Sequence, residues 1–154
     1  MHEFGISLYP EHSDAQADKE YMELASKYGF TRIFTCLLSV EKSAEETIAE
    51  FSEFMSTAHA YGFKVAVDTN PEVFEHLGAT PYNLEVFNKM GVDIIRLDGH
   101  FDDRSDIAIT QNPYGIKIEY NASQNSSLSS LLSVGQTRPT WLYVTTFIQK
   151  NIPV

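Results

Sequence analysis

The chain has little cysteine, little positive charge and no long apolar run. Its 154 residues include one cysteine, Cys36, which excludes an internal disulfide and favours a reducing compartment such as the cytoplasm. Lys and Arg number 11 against 21 Asp and Glu, a net charge of −10. An acidic chain of this kind is disfavoured as a partner of nucleic acid or of an anionic membrane. No stretch approaches the roughly 18 apolar residues of a membrane span, and the opening MHEFGISLYPE lacks the basic region of a signal peptide.

The motifs of common cofactor sites are also missing. The glycines form neither a GxGxxG nor a Walker pattern. The five histidines are scattered without the spacing of metal ligands. We therefore expect no cofactor and no metal, and the oligomeric state is left open by the sequence.

Five short apolar runs, each ending in polar residues, are what the chain does contain. They are FGISLYPE, RIFTCLLS, KVAVDTN, DIIRLDG and GIKIEYNAS. They predict strands over 4–9, 32–38, 64–69, 93–97 and 116–120. Helical patterns lie between them, at 15–28, 43–61, 71–77 and 81–90, with a further one near 128–134, whereas 100–106 is predicted to be a polar loop. Strands that alternate with helices predict repeated βα units and a parallel sheet.

The alternation within these strands separates two kinds of α/β fold. A doubly wound sheet is covered on both faces, so its strands are apolar throughout. Here polar residues recur on one face, as in Lys64, Asp68 and Asn70 or in Arg96 and Asp98. We therefore predict an incomplete TIM-type (β/α) barrel of about five to six βα units, since a complete barrel has eight.

A barrel builds its active site at the carboxyl ends of its strands. The polar set predicted to face inward there also includes Ser7 and Thr35. Several carboxylates at one mouth suit glycoside hydrolysis, in which one acid protonates the leaving oxygen and a second carboxylate stabilises or attacks the anomeric carbon. The predicted catalytic residues are Asp68, Asp98 and Glu119. The predicted substrate-binding residues are Tyr9, Glu11, Asn70, Arg96, Lys117 and Asn121.

Other roles for these residues stay open at this point. Asp68 and Asp98 could cap the loops that follow them. Lys117 and Glu119 could form a structural ion pair, or Lys117 could form a Schiff base in a phosphosugar lyase, aldolase or isomerase. A fragment without catalytic activity is a further alternative.

Several segments together resemble one known family. GISLYPE, YGFTRIFTCLLSVE, VDTNPEVF, GVDIIRLDGHFD and NPYGIKIEYNAS are similar to the N-terminal barrel of the 6-phospho-N-acetylmuramidases, over essentially residues 1–138. The resemblance implies a TIM-type barrel followed by a cyclophilin-like domain. It also implies a cytoplasmic glycosidase of peptidoglycan recycling, which cleaves N-acetylmuramic acid 6-phosphate from N-acetylglucosamine.

The resemblance breaks near the end of the sequence. The family continues there with a strand ending in Cys-His-Asn-Phe-Tyr-Pro, whereas this chain has PTWLYVTTFIQKNIPV. A shift of one base in the back-translated sequence permits the family motif. We therefore expect residues 1–139 to be the N-terminal part of a (β/α)8 barrel and 140–154 to be a frameshifted tail. On this hypothesis the chain alone is truncated and inactive.

Overall fold

A computed structural model describes residues 4–99 and 101–120. The strands are β1 (Gly5–Ser7), β2 (Arg32–Cys36), β3 (Lys64–Thr69), β4 (Ile94–Leu97) and β5 (Lys117–Tyr120). The helices are α1 (Ala15–Lys27), α2 (Ala44–Ala60), α3 (Pro71–His76), α4 (Glu85–Met90) and α5 (Asp103–Thr110), with a 3₁₀ turn at Pro10–His12. The predicted helix near 128–134 and the suspected tail lie outside these residues.

The strands form one parallel sheet in the order β1-β2-β3-β4-β5. Each strand thus pairs with the next strand along the chain, without the reversal of order that marks a doubly wound sheet. The α/β class and the parallel sheet are confirmed. The sequential order is compatible with part of a TIM-type barrel, and closure into a barrel stays a prediction.

The two faces of the sheet differ as the alternation predicts. One face is apolar and packs against the helices, with Ile33, Val65, Val67 and Ile95 fully buried. The register aligns Thr35 with Val67 and Ile95 on this face. Thr35 was expected among the inward polar residues, and that prediction is wrong. Successive side chains of a strand point to opposite faces of the sheet, and Thr35 falls on the apolar face.

The ends of the helices follow their local sequence. Asp14 caps α1 by accepting from the Ala17 amide, and Ser43 and Glu46 form a capping box at the start of α2. Gly91, at φ 84°, ends α4 in the left-handed region that glycine adopts at low cost.

One helix was not predicted. Residues 100–106 were expected to form a polar loop, but α5 begins inside that segment, where Asp102 accepts hydrogen bonds from the Arg104 and Ser105 amides. Asp102 is the N-cap, and its hydrogen bonds start the helix.

Candidate active site

The register places four side chains in one row near the carboxyl ends of the strands. Cys36 aligns with Asp68, Asp68 with Arg96, and Arg96 with Glu119. Neighbouring residues in a parallel register point to the same side of the sheet. The row therefore lies on the polar face, opposite the helices, where the sequence predicted a site.

Asp68 is a buried carboxyl group of the row with a raised pKa. The residue is buried, with 8% of its surface exposed, and its Oδ1 accepts no hydrogen bond from the described residues. Burial raises the pKa of Asp68 to about 6, the nearby Arg96 cation opposes this, and the Asp98 carboxylate adds to it. A carboxyl group whose pKa lies close to neutrality keeps a protonated fraction there and is suited to act as a general acid.

Arg96 is held between Asp68 and an aromatic pair. Its Nε lies 3.8 Å from Asp68 Oδ1, and its guanidinium carbon lies 5.4 Å from the centre of the Phe34 ring. Tyr9 meets the same Phe34 ring edge-on, with the ring centres 6.4 Å apart. A guanidinium fixed by a cation–π contact presents a positive charge in a defined place for an anionic group.

Glu119 forms an ion pair with Arg32, which was not a predicted site residue. Arg32 Nη2 lies 2.5 Å from Glu119 Oε2, and both side chains are largely buried. The pair joins β2 to β5, three strand spacings or roughly 14 Å apart in a flat sheet. The sheet therefore curls toward its polar face, as a barrel wall does. Lys117, which the sequence offered as an alternative ion-pair partner of Glu119, does not form this pair.

Glu11 lies just beyond β1 in the 3₁₀ turn, at the same end of the sheet. Its side chain is only 8% exposed. Oε1 is 3.4 Å from Ser39 Oγ and 3.9 Å from His12 Nε2, whereas Oε2 is buried without a partner among the described residues. The structure thus brings Glu11 and Tyr9 to the end of the sheet that holds Asp68 and Arg96.

The other predicted residues are placed as follows. Asp98 follows β4 and donates its amide to Thr69 O at 2.7 Å. Asn70 caps α3 through the Val73 amide, a structural role that competes with substrate binding.

Lys117 is exposed and lines a groove with Lys64 and Asp93 at the amino end of the strands, away from the row. Asn121 lies outside the described residues.

Arg32, Phe34 and Cys36 complete the polar face but were not predicted as site residues. They alternate along β2 on the same side as the row, which is the signal that could have found Arg32 and Phe34. The contact of Arg32 with Glu119, 87 residues away, has no local signal. No group of three or more His, Cys, Asp or Glu side chains suited to a metal occurs in the described part of the chain.

Fold and site together define a class: an α/β protein with sequentially wound parallel strands and a carboxylate-bearing site at their carboxyl ends. Residues 4–144 match the family described as 6-phospho-N-acetylmuramidase, N-terminal. The chain belongs to this family, as the sequence motifs indicated. No curated protein matches it. Within residues 4–99 and 101–120, no helix is long and apolar enough to cross a membrane.

Two solved structures are similar to this chain. An uncharacterized protein from B. cereus is 42% identical, with a TM-score of 0.68 over 86% of this chain and 34% of that one. A conserved protein of unknown function from Enterococcus faecalis is 22% identical, with a TM-score of 0.68 over 86% of this chain and 36% of that one, and supports the fold alone. The chain spans about a third of the length of the solved structures that it matches.

Proposed function

We propose that this chain carries the catalytic face of a glycoside hydrolase that cleaves N-acetylmuramic acid 6-phosphate from N-acetylglucosamine. Membership of the 6-phospho-N-acetylmuramidase family supports the substrate class. The observation that carries the chemistry is Asp68, a buried carboxyl group with a pKa raised to about 6 at the carboxyl end of β3. The same proposal includes a cytoplasmic location and a role in peptidoglycan recycling.

Asp68 is the proposed general acid. Because its pKa is raised to about 6, a minor fraction of Asp68 is protonated at neutral pH. This form gives its proton to the oxygen that links the two sugars as the bond from that oxygen to C1 breaks. The Asp98 carboxylate favours this protonated state, because its negative charge adds to the effect of burial on the pKa of Asp68. Asp98 and Glu119 stay predicted catalytic residues, and Glu119 has Arg32 as its partner.

Arg96 is the proposed site for an anionic group of the substrate. The whole chain is acidic, so a phosphorylated sugar needs a local cation to bind at all. The Arg96 guanidinium is held over Phe34 beside the acid, and Tyr9, which is 38% exposed, offers an aromatic rim for a sugar ring. Asn70 and Asn121 keep their predicted substrate-binding roles as part of this proposal, whereas Lys117 lies at the amino end of the strands and is not part of it.

The test is to incubate the chain with the phosphorylated disaccharide and to follow its products by mass spectrometry. We expect release of N-acetylmuramic acid 6-phosphate, a result that would overturn the sequence-based hypothesis that the chain alone is inactive. We also expect a loss of about 100-fold or more in Asp68→Asn. Glu41→Gln, which changes an exposed carboxylate, is the control and should retain full activity. Binding without turnover would indicate a non-catalytic sugar-binding fragment. Borohydride trapping of a phosphosugar on Lys117 would indicate a lyase or aldolase.

A further inference from the structure

We propose that Glu11 is the second catalytic carboxylate of this site and works with Asp68 beside the Cys36 thiol. The inference rests on the proposed glycosidase function and extends it. Hydrolysis of a glycoside by this chemistry requires two carboxyl groups, of which Asp68 supplies one.

The environment of Glu11 is the first observation. Its contacts with Ser39 and His12 both fall on Oε1, and the Ser39 contact is long at 3.4 Å. Oε2 is buried and has no partner among the described residues. A buried carboxylate oxygen without a hydrogen bond is costly, so its presence calls for an explanation. Asp68 Oδ1, at the same end of the sheet, is in the same condition.

The end of β2 contacts both residues, at the side chain of Glu11 and at the main-chain carbonyl of Asp68. Ser39, in the loop after β2, contacts Glu11, and Leu37 in the same loop donates its amide to Asp68 O at 3.0 Å. Cys36, the last residue of β2, aligns with Asp68 in the register. Burial first, and then the charges of Asp68 and Glu11, raise the pKa of the Cys36 thiol. The charges of both carboxylates therefore affect the pKa of the same thiol.

The other carboxylates are less suited to this role. Glu119 Oε2 already lies 2.5 Å from Arg32 Nη2, and breaking that buried ion pair to bind substrate would be costly. Asp98 raises the pKa of Asp68 but is itself partly exposed. Besides Asp68, only Glu11 among the described carboxylates has a buried side-chain oxygen without a hydrogen-bond partner there.

The proposed step balances in either stereochemical course. The Asp68 acid gives its proton to the linking oxygen, which keeps the electron pair of the broken bond to C1. Glu11 either bonds to C1 directly or takes a proton from the water that attacks C1. In the first course a later water molecule hydrolyses the ester, and the Asp68 carboxylate takes its proton. One water molecule is consumed in both courses.

The placement of Glu11 is tested without any substrate. Cys36 is the only cysteine, so alkylation by iodoacetamide reports on this one thiol. We expect Glu11→Gln and Asp68→Asn each to lower the thiol pKa and to speed alkylation at pH 8 roughly two- to fivefold. Glu41→Gln, in the same β2–α2 loop, should leave the rate unchanged. An unchanged rate in a folded Glu11→Gln chain would overturn the placement.

The catalytic role is tested with a dinitrophenyl glycoside of N-acetylmuramic acid 6-phosphate. We expect Glu11→Ala to lose about 100- to 10,000-fold in rate and azide to restore part of it by replacing the carboxylate. Asp68→Asn should cleave this activated substrate well yet fail on the natural disaccharide, because dinitrophenolate leaves without a proton. If Glu11→Ala does not fold, Glu11→Asp, which retains the charge, replaces it in the same assay and should lose rate equally.

The outcomes separate the two proposals. If the unaltered chain cleaves neither substrate, the proposed function fails, and the role of Glu11 fails with it whatever the thiol titration shows. If the chain cleaves both substrates and Glu11→Ala does so at the same rate, only the role of Glu11 is overturned. Loss of rate with recovery in azide supports both proposals.

Discussion

At the scale of single residues, Asp68 couples function to stability. A carboxyl group whose pKa is raised on folding binds its proton more tightly in the folded state, so its ionisation favours unfolding. The contribution of Asp68 therefore falls as the pH rises from about 3.8 to about 6 and is fully lost above that range. A shift of this size corresponds to roughly 3 kcal/mol as an upper bound.

Asp68→Asn should remove this penalty. We expect the variant to be more stable than the unaltered chain at pH 7.5, by about 1–3 kcal/mol, and nearly equal to it at pH 4. Urea unfolding followed by circular dichroism at both pH values measures the difference. Glu53→Gln, at an exposed position on α2, is the matched control and should show no such pH dependence. Equal stability of Asp68→Asn and the unaltered chain at pH 7.5 would argue against a buried acid.

Removal of a charge from the Arg32–Glu119 pair should destabilise the fold, whereas Asp68→Asn should stabilise it. Removal of one member leaves the other charge buried without its partner, so we expect Glu119→Gln to lose about 3–5 kcal/mol of unfolding free energy. The apolar double variant Arg32→Met/Glu119→Leu should recover most of that loss. Disruption of the exposed Glu23–Lys27 pair on α1 by Glu23→Gln is the control, with little change expected. A double variant no more stable than Glu119→Gln would contradict this account of the pair.

At the scale of elements, Asp93 ties α2 and β3 to the start of β4. It accepts from the Val65 amide at 2.9 Å and from Lys64 Nζ at 3.0 Å, and it lies 2.8 Å from His59 Nε2. Burial alone would raise its pKa, but the hydrogen bonds from Val65, His59 and Lys64 outweigh this effect and lower it. Its contribution to stability is therefore present above the unfolded pKa near 3.8 and is lost as the pH falls through the lower folded value.

Two substitutions separate the hydrogen bond of Asp93 from its charge. Asp93→Asn retains an acceptor for the Val65 amide, whereas Asp93→Ala leaves that partly buried donor without one. We expect Asp93→Ala to cost about 1–3 kcal/mol and Asp93→Asn clearly less. Thermal unfolding at pH 7 compares them. Equal losses in the two variants would show that the charge, and not the amide acceptor, is what holds these elements together.

The sequence alone was sufficient to predict the elements that have a recognisable pattern of apolar and polar residues. All five strands were predicted because each is a short apolar run with polar residues at its end, and Asp68 was predicted because it ends such a run. Helix α5 was missed because its buried face consists of only Ser105 and Ile109, four residues apart in a polar segment. The Arg32–Glu119 contact was missed because it depends on the curl of the sheet.

At the scale of the whole molecule, β1 is one end of the described sheet, and no strand of the described residues pairs with its outer edge. Such an edge presents unpaired amide and carbonyl groups to other chains. Leu8 donates to Phe34 O, and Thr31 donates to Phe4 O, so the even-numbered residues of β1 bond to β2. In a parallel ladder the odd-numbered residues then point outward, Ser7 among them.

We therefore expect the chain to self-associate through β1, and Ser7→Pro to reduce this. Proline removes the outward amide of an exposed residue and is tolerated on edge strands. Ile6→Pro is the control, because it removes an amide that bonds to β2 and should destabilise the fold instead. Sedimentation velocity over a range of concentrations measures association, and thermal unfolding measures stability. If Ser7→Pro associates as strongly as the unaltered chain while remaining folded, another surface joins the copies, and the outer edge of β1 is covered in solution.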